Sequence, residues 1–155
     1  PDQFRAIVNG HFRIAPPPEL LSGSDAPAML GVTGATAEWI FTFPDRISVT
    51  VSAADAIADK DRGELAAMLW ADVRAALGMD TPLPPKIPPW QIVKEKRATF
   101  AATPAQAARR PPARTQWGNL FLAGDWTATG LPATIEGALR SGETAADLAA
   151  RHLAL

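Results

Sequence analysis

Gly124 and Asp125 follow the apolar run Leu120, Phe121, Leu122, Ala123, and an acid in that place has a definite chemical use. In open α/β sheets, ligands bind beyond the carboxyl ends of the strands. A carboxylate leaving such a strand accepts hydrogen bonds from sugar or ribityl hydroxyls, and a glycine before it lets a ligand approach the backbone. A helix pattern begins near Pro132–Thr134, and the first N–H groups of a helix have no intrahelical partners. That positive end can stabilise negative charge on a phosphate or on a reduced flavin ring. Taken singly, Gly-Asp is the material of any turn, and an Ala/Gly-rich helix is the material of any packing helix. Their order carries the argument: apolar strand, Gly-Asp, turn, then a helix on which Ala138, Gly142, Ala145 and Ala149 form a small-residue stripe.

The elements that would hold these residues are legible as changes of period. Residues 4–14 read as a strand with Ile7, Phe12 and Ile14 as its apolar members. Residues 37–43 and 46–54 read as a hairpin turning at Pro44-Asp45. In the second of these, Ile47, Val49 and Val51 share one face and Ser48, Thr50 and Ser52 the other, as in an antiparallel sheet with one covered face. From Asp61 the spacing turns helical, with Leu65, Leu69, Val73 and Leu77 in line, Trp70 beside them, and Gly78 at the end. Residues 91–100 read as a further strand, 119–124 as a short buried one, and 133–152 as the last helix. The proline-punctuated stretches 15–31, 81–90 and 101–118 read as loops and connectors, with Arg109 and Arg110 in a solvated part of the last and contact with cofactor phosphates kept as the alternative. The fold class is therefore α+β.

Composition narrows the classes of function. The chain has 155 residues and a net charge of −1, so nothing in its charge balance argues for nucleic acid. It has no Cys, which removes disulfides, thiolate metal sites and Cys nucleophiles, and no metal-ligand cluster is evident. No apolar run is long enough to span a bilayer. Tyr is absent while Trp occurs five times; Trp39, Trp70, Trp90 and Trp117 read as anchors of sheet and loop packing. His11 falls in a strand pattern and His152 at a helix end, where a cation suits the dipole, and neither reads as catalytic.

The wording "LAGDWT…GLPATIEGALRSGETAA" resembles the C-terminal FAD-binding signature of the flavin amine oxidase and phytoene desaturase superfamily. Within it, "GDWTATGLPATIEGALRSG" is most similar to the bacterial hydroxysqualene dehydroxylases as a group. "KRATFAATPAQ…RPP…NLFLAGD" and "VNGHFRI…EWIFTF…SVTVSAAD" extend the resemblance over nearly the whole chain. The resemblance implies a fragment of a two-domain FAD-dependent oxidoreductase. Residues 1–100 would be a partial substrate-binding domain with a sheet and one helix. Residues 101–155 would be the C-terminal segment of the FAD-binding domain, contributing its closing strand and helix. It further implies that Asp125 hydrogen-bonds the ribityl or pyrophosphate region of FAD, with Gly124 giving room. The backbone around Thr134, Ile135 and Glu136 would face the flavin N1/C2 edge, and Trp126 and Thr127 would lie near the ring or the substrate cavity. The alternative for Glu136 is that it is only a first-turn acid serving its own helix dipole; its backbone role ranks ahead of a side-chain one.

The superfamily's GxGxxG fingerprint is not found; "GVTG" (31–34) has the wrong spacing and no following helix pattern. The resemblance therefore implies an FAD site that is incomplete in this chain, and a chain inactive alone. The absence of Tyr, and Trp126 where many relatives carry Tyr, favour an apolar isoprenoid over an amine. The implied reaction is reductive dehydroxylation of hydroxysqualene to squalene in hopanoid synthesis. A carotenoid or phytoene desaturase and a flavin amine oxidase stay open as alternatives. So does a non-catalytic interaction module docking through "IAPPPELL" or "PLPPKIPPW". Peripheral membrane contact, self-association of the fragment, and a cytoplasmic or inner-membrane location complete the expectations.

Overall fold

The computed structural model describes residues 1–16, 18–21, 28–78 and 83–153. The chain forms two compact units, residues 5–98 and residues 1–4 with 99–155.

The first unit is a five-stranded sheet with a helix. Its strands are β1 (Phe4–Phe12), β2 (Ala28–Gly31), β3 (Trp39–Phe43), β4 (Arg46–Val51) and β5 (Trp90–Phe100), in spatial order β2-β3-β4-β1-β5. The hairpin read at Pro44-Asp45 is present, with Phe43 opposite Arg46 and Ile40 opposite Val49 in an antiparallel ladder. β1 pairs antiparallel with β4, Gly10 facing Val49 and His11 facing Ser48. Ala6, Val8 and Phe12 turn to the core; Ile7, expected there, lies on the opposite face and is half-buried. β2 pairs antiparallel with β3 at the edge, in a stretch where only a loop was expected. That loop over 15–31 falls in part on residues 17 and 22–27, and the connector over 81–90 on residues 81–82, outside the described residues.

The helix α1 (Arg62–Leu77) starts where Asp61 accepts hydrogen bonds from the N–H groups of Gly63 and Glu64, and ends where Gly78 N–H donates to Arg74 O. Its buried residues are Leu65, Ala66, Leu69, Trp70 and Val73. They join Val8, Phe12, Ile40, Ile47, Val49, Val51 and Ile92 in one core. Full burial of such side chains stabilises by about 1.5–3 kcal/mol each. Trp70, expected beside the stripe, is wholly inside it. Its ring lies 5.0 Å from that of Phe12, and its indole N–H donates to Pro84 O. Trp39, Trp90 and Trp117 are not anchors of this kind; each is exposed.

The second unit holds the short helix α2 (Pro104–Ala107) and the long helix α3 (Ile135–Leu153). Thr103 caps α2, accepting from Gln106 N–H. The Gln106 side chain, 2% exposed, accepts from the N–H groups of Asp2 and Gln3 and donates to Asp2 Oδ1, tying residues 1–4 into the unit. The strand expected over 119–124 does not form. Phe121 makes a single antiparallel bridge with Arg114, Leu122 N–H donates to Ala113 O, and Leu120 is 43% exposed. A strand needs a partner strand to take up its backbone N–H and C=O groups, and the described residues of this unit offer this segment only that one bridge. No helix among the described residues is long and apolar enough to cross a membrane.

Candidate cofactor-binding site

The Gly-Asp turn is built around a backbone conformation that only glycine takes without strain. Gly124 has φ +139°, and a Cβ placed there would run into Trp126 Nε1 and come within 2.6 Å of its Cδ1. The indole therefore lies directly over the Gly124 backbone. Thr127 closes the turn, its N–H and its hydroxyl both donating to Gly124 O, at 3.0 and 2.8 Å. Thr127 is buried and its hydroxyl is committed to this bond, so its part is to shape the turn.

The turn is docked onto α3. Gly124 N–H donates to Ser141 Oγ at 2.7 Å, and Ser141 Oγ donates in turn to Ala138 O. Gly137 and Ser141 are the buried residues of the helix, with Gly142, Ala145, Leu148 and Ala149 half-buried. The small-residue stripe is therefore real but begins one position earlier than read, at Gly137, and Ala138 is exposed. An added Cβ at Gly137 would sit 3.0 Å from Pro132 O, so the glycine lets the incoming loop lie close on the helix.

At the start of α3, Thr134 is the cap. Its Oγ1 accepts from Gly137 N–H at 3.1 Å, and its carbonyl accepts from Ala138 N–H. The N–H groups of Ile135 and Glu136 are left without partners among the described residues. Ile135 is 82% exposed. The Glu136 carboxylate accepts from Arg140 Nε at 2.6 Å, one turn on, in an exposed ion pair along the helix. Asp125 is half-buried, and its carboxylate makes no hydrogen bond or ion pair among the described residues. The arrangement thus offers an unengaged carboxylate, two unpartnered N–H groups at the positive end of a helix, and a glycine backbone under an aromatic ring.

One residue that the sequence placed in solvent holds this loop. Arg110 donates from Nη2 to Asp125 O and Thr129 Oγ1 and from Nη1 to Leu131 O, each at 2.8 Å. Its guanidinium carbon lies 4.9 Å from the centre of the Phe100 ring. Pro111, next in the chain, accepts from Ala128 N–H. Arg109, by contrast, is exposed and ion-paired with Asp2. Nothing in "ARRPP" distinguishes the two arginines. The Ser141 contact was more accessible, since residues 137, 141, 145 and 148 follow helical spacing.

Neither histidine is among the residues that build this turn. His11, on β1, shares a hydrogen bond with Ser48 Oγ and lines an open groove of about 340 Å³ with Arg13, Asp45, Arg46 and Trp90. Partial burial, and then the nearby Arg46 charge, hold its pKa below the usual 6.5. His152, at the end of α3, meets the Phe121 ring edge-on. Among the described residues, no three His, Asp or Glu side chains gather where they could hold a metal ion.

Comparison with known proteins bears on what this geometry serves. Hydroxysqualene dehydroxylase of Rhodopseudomonas palustris is 56% identical over 148 residues, covering 96% of this chain and 33% of that protein. Hydroxysqualene dehydroxylase of Sinorhizobium fredii is 55% identical over 149 residues, again 96% of this chain and 33% of that protein. The enzyme of the same name from Zymomonas mobilis is 51% identical over 152 residues, covering 98% of this chain and 34% of that protein. The chain spans about a third of the length of the curated relatives it matches. Residues 4–150 match the model of the flavin containing amine oxidoreductases, and the chain belongs to that family.

Proposed function

We propose that this chain is the C-terminal portion of an FAD-dependent oxidoreductase acting on an isoprenoid, with reductive dehydroxylation of hydroxysqualene to squalene as its reaction. The observation that carries this reading is 51–56% identity, over nearly the whole chain, to three proteins named hydroxysqualene dehydroxylase.

The site's own chemistry fits a flavin cofactor. The open Asp125 carboxylate suits ribityl hydroxyls, and the glycine at 124 lets the Trp126 indole lie over the turn that presents it. The unpartnered N–H groups of Ile135 and Glu136 suit the electron-rich edge of the ring, where the α3 dipole stabilises negative charge. Thr134 supports them by capping, and Trp126 presents an apolar surface beside the turn. Bound FAD supplies hydride-transfer chemistry that no side chain here provides. Asp125 orients it, the start of α3 favours its reduced charge, and the rest of the cofactor is held by residues outside this chain. Since the substrate dissolves in lipid, peripheral contact with a membrane surface belongs to the same proposal.

The test uses the complete polypeptide that carries this segment. Its visible spectrum before and after denaturation reports FAD, and anaerobic incubation of the chemically reduced protein with hydroxysqualene reports conversion to squalene. Conversion of phytoene by the oxidised protein instead would establish a desaturase. A colourless protein that cannot be reconstituted with FAD would sink the oxidoreductase reading, return Asp125 to an ordinary turn, and favour an interaction module.

A further inference from the structure

We infer that Arg110 is a positioning residue of the cofactor site, fixing the loop from Asp125 to Leu131 so that the Asp125 carboxylate and the start of α3 are presented together. The inference rests on the flavin-site reading above and adds to it a residue that touches neither cofactor nor substrate.

Three observations carry it. First, one guanidinium reaches both ends of the loop, donating to Asp125 O and to Leu131 O, and also to Thr129 Oγ1 between them. The planar fork of an arginine spans two carbonyls in this way, and the compact ammonium of a lysine does not. Second, the loop is fastened at few other points. Thr127 and Ser141 hold its Gly124 end, and Ala128 N–H reaches Pro111 O. Besides Arg110, Thr129 bonds only its near neighbours Thr127 and Leu131, so among the described residues only Arg110 bonds to both Asp125 and Leu131. Third, Arg110 is set unlike an ordinary surface cation. None of its hydrogen-bond partners is a carboxylate, Phe100 lies within cation–π range, and Nε is buried with no acceptor among the described residues. A buried donor left unmatched is a cost that folded proteins rarely carry. Such departures concentrate where a site is being held in shape.

The positive charge also has a consequence at the site. A half-buried cation bonded to the main chain of Asp125, and matched only by neutral groups, raises the local potential and favours negative charge nearby. Arg110 therefore acts on a bound flavin twice, through loop geometry and through its field.

The test compares the complete polypeptide with its Arg110→Lys, Arg110→Ala and Arg109→Ala variants. The readouts are FAD dissociation constant, flavin absorption spectrum, flavin reduction potential and Tm. Arg110→Lys and Arg110→Ala are expected to bind FAD at least about tenfold more weakly, equivalent to about 1.4 kcal/mol. Arg110→Ala lowers the potential, and added guanidinium ion restores part of the affinity. Arg109→Ala, whose side chain pairs with Asp2, leaves affinity and potential unchanged. Should Arg110→Ala fail to fold, Arg110→Lys carries the comparison. Arg110 variants that lose Tm but keep wild-type affinity, spectrum and potential overturn the inference and leave the flavin reading standing. A wild-type protein that takes up no FAD overturns the flavin reading first.

Discussion

Ser141 and Gly124 lie 17 positions apart and are joined by a single hydrogen bond, Gly124 N–H to Ser141 Oγ at 2.7 Å. The serine hydroxyl donates in turn to Ala138 O, so a buried hydroxyl links the turn to the helix that follows it. Substituting Ser141 with Ala leaves the glycine N–H without an acceptor in a part-buried place, at a cost of about 1–3 kcal/mol. Chemical denaturation is the direct check. A loss within the ~0.5 kcal/mol of ordinary surface changes would mean that water replaces the serine.

Gly124→Ala meets two separate penalties. The φ of +139° is strained for any L side chain, and the new methyl collides with the Trp126 indole. Backbone strain of this kind costs about 1–3 kcal/mol. Combining the change with Trp126→Ala removes the collision and leaves the strain, so the double variant should recover part of the lost stability. No recovery would show that the indole swings aside freely and that φ is the whole cost.

These two residues show what a sequence can and cannot convey. Glycine before an acid at the end of an apolar run signals a special turn. It does not signal that the apolar run stays out of a sheet, because strand formation depends on neighbours rather than on composition. Leu120 and Phe121 have the right character, but among the described residues the one bridge here joins Phe121 to Arg114. The hairpin of β3 and β4 was legible because Ile47, Val49 and Val51 alternate with polar residues, and α1 because Leu65, Leu69 and Val73 repeat at helical spacing. β2 was hidden since Met29, Leu30 and Gly31 at the sheet edge are exposed and carry no burial alternation. Arg110 was hidden for another reason. Its partners are carbonyls and a hydroxyl 15 to 21 positions away, and main-chain groups have no sequence signature.

His11 gives the chain a pH-dependent term whose sign is determined by its environment. Burial, then the Arg46 charge, depress its folded pKa below 6.5. Between the folded and unfolded values, the unfolded chain binds the proton more readily. The contribution to stability is therefore present above pH 6.5 and is lost as pH falls through the folded pKa. NMR titration should place the His11 midpoint below 6.5, and His11→Gln should flatten stability against pH over that interval. A midpoint at or above 6.5 would show that Asp45, which also lines the groove, outweighs burial and Arg46.

The last prediction tests the core that supports the sheet unit. Gly10 faces α1 so closely that an added Cβ would stand 3.0 Å from Leu69 Cδ1 and 3.4 Å from Ile92 Cδ1. Gly10→Ala therefore overpacks a site without room, at about 1–3 kcal/mol. Leu69→Ala empties the same region and costs about 2–5 kcal/mol. In the double variant the new methyl of residue 10 occupies space that Leu69 has vacated, so the two losses should not add, with a favourable coupling of about 0.5–3 kcal/mol. Denaturation of the four proteins in the cycle measures it. Strict additivity would mean that α1 shifts away from β1 to admit the methyl, and that Leu69 is not what keeps position 10 a glycine.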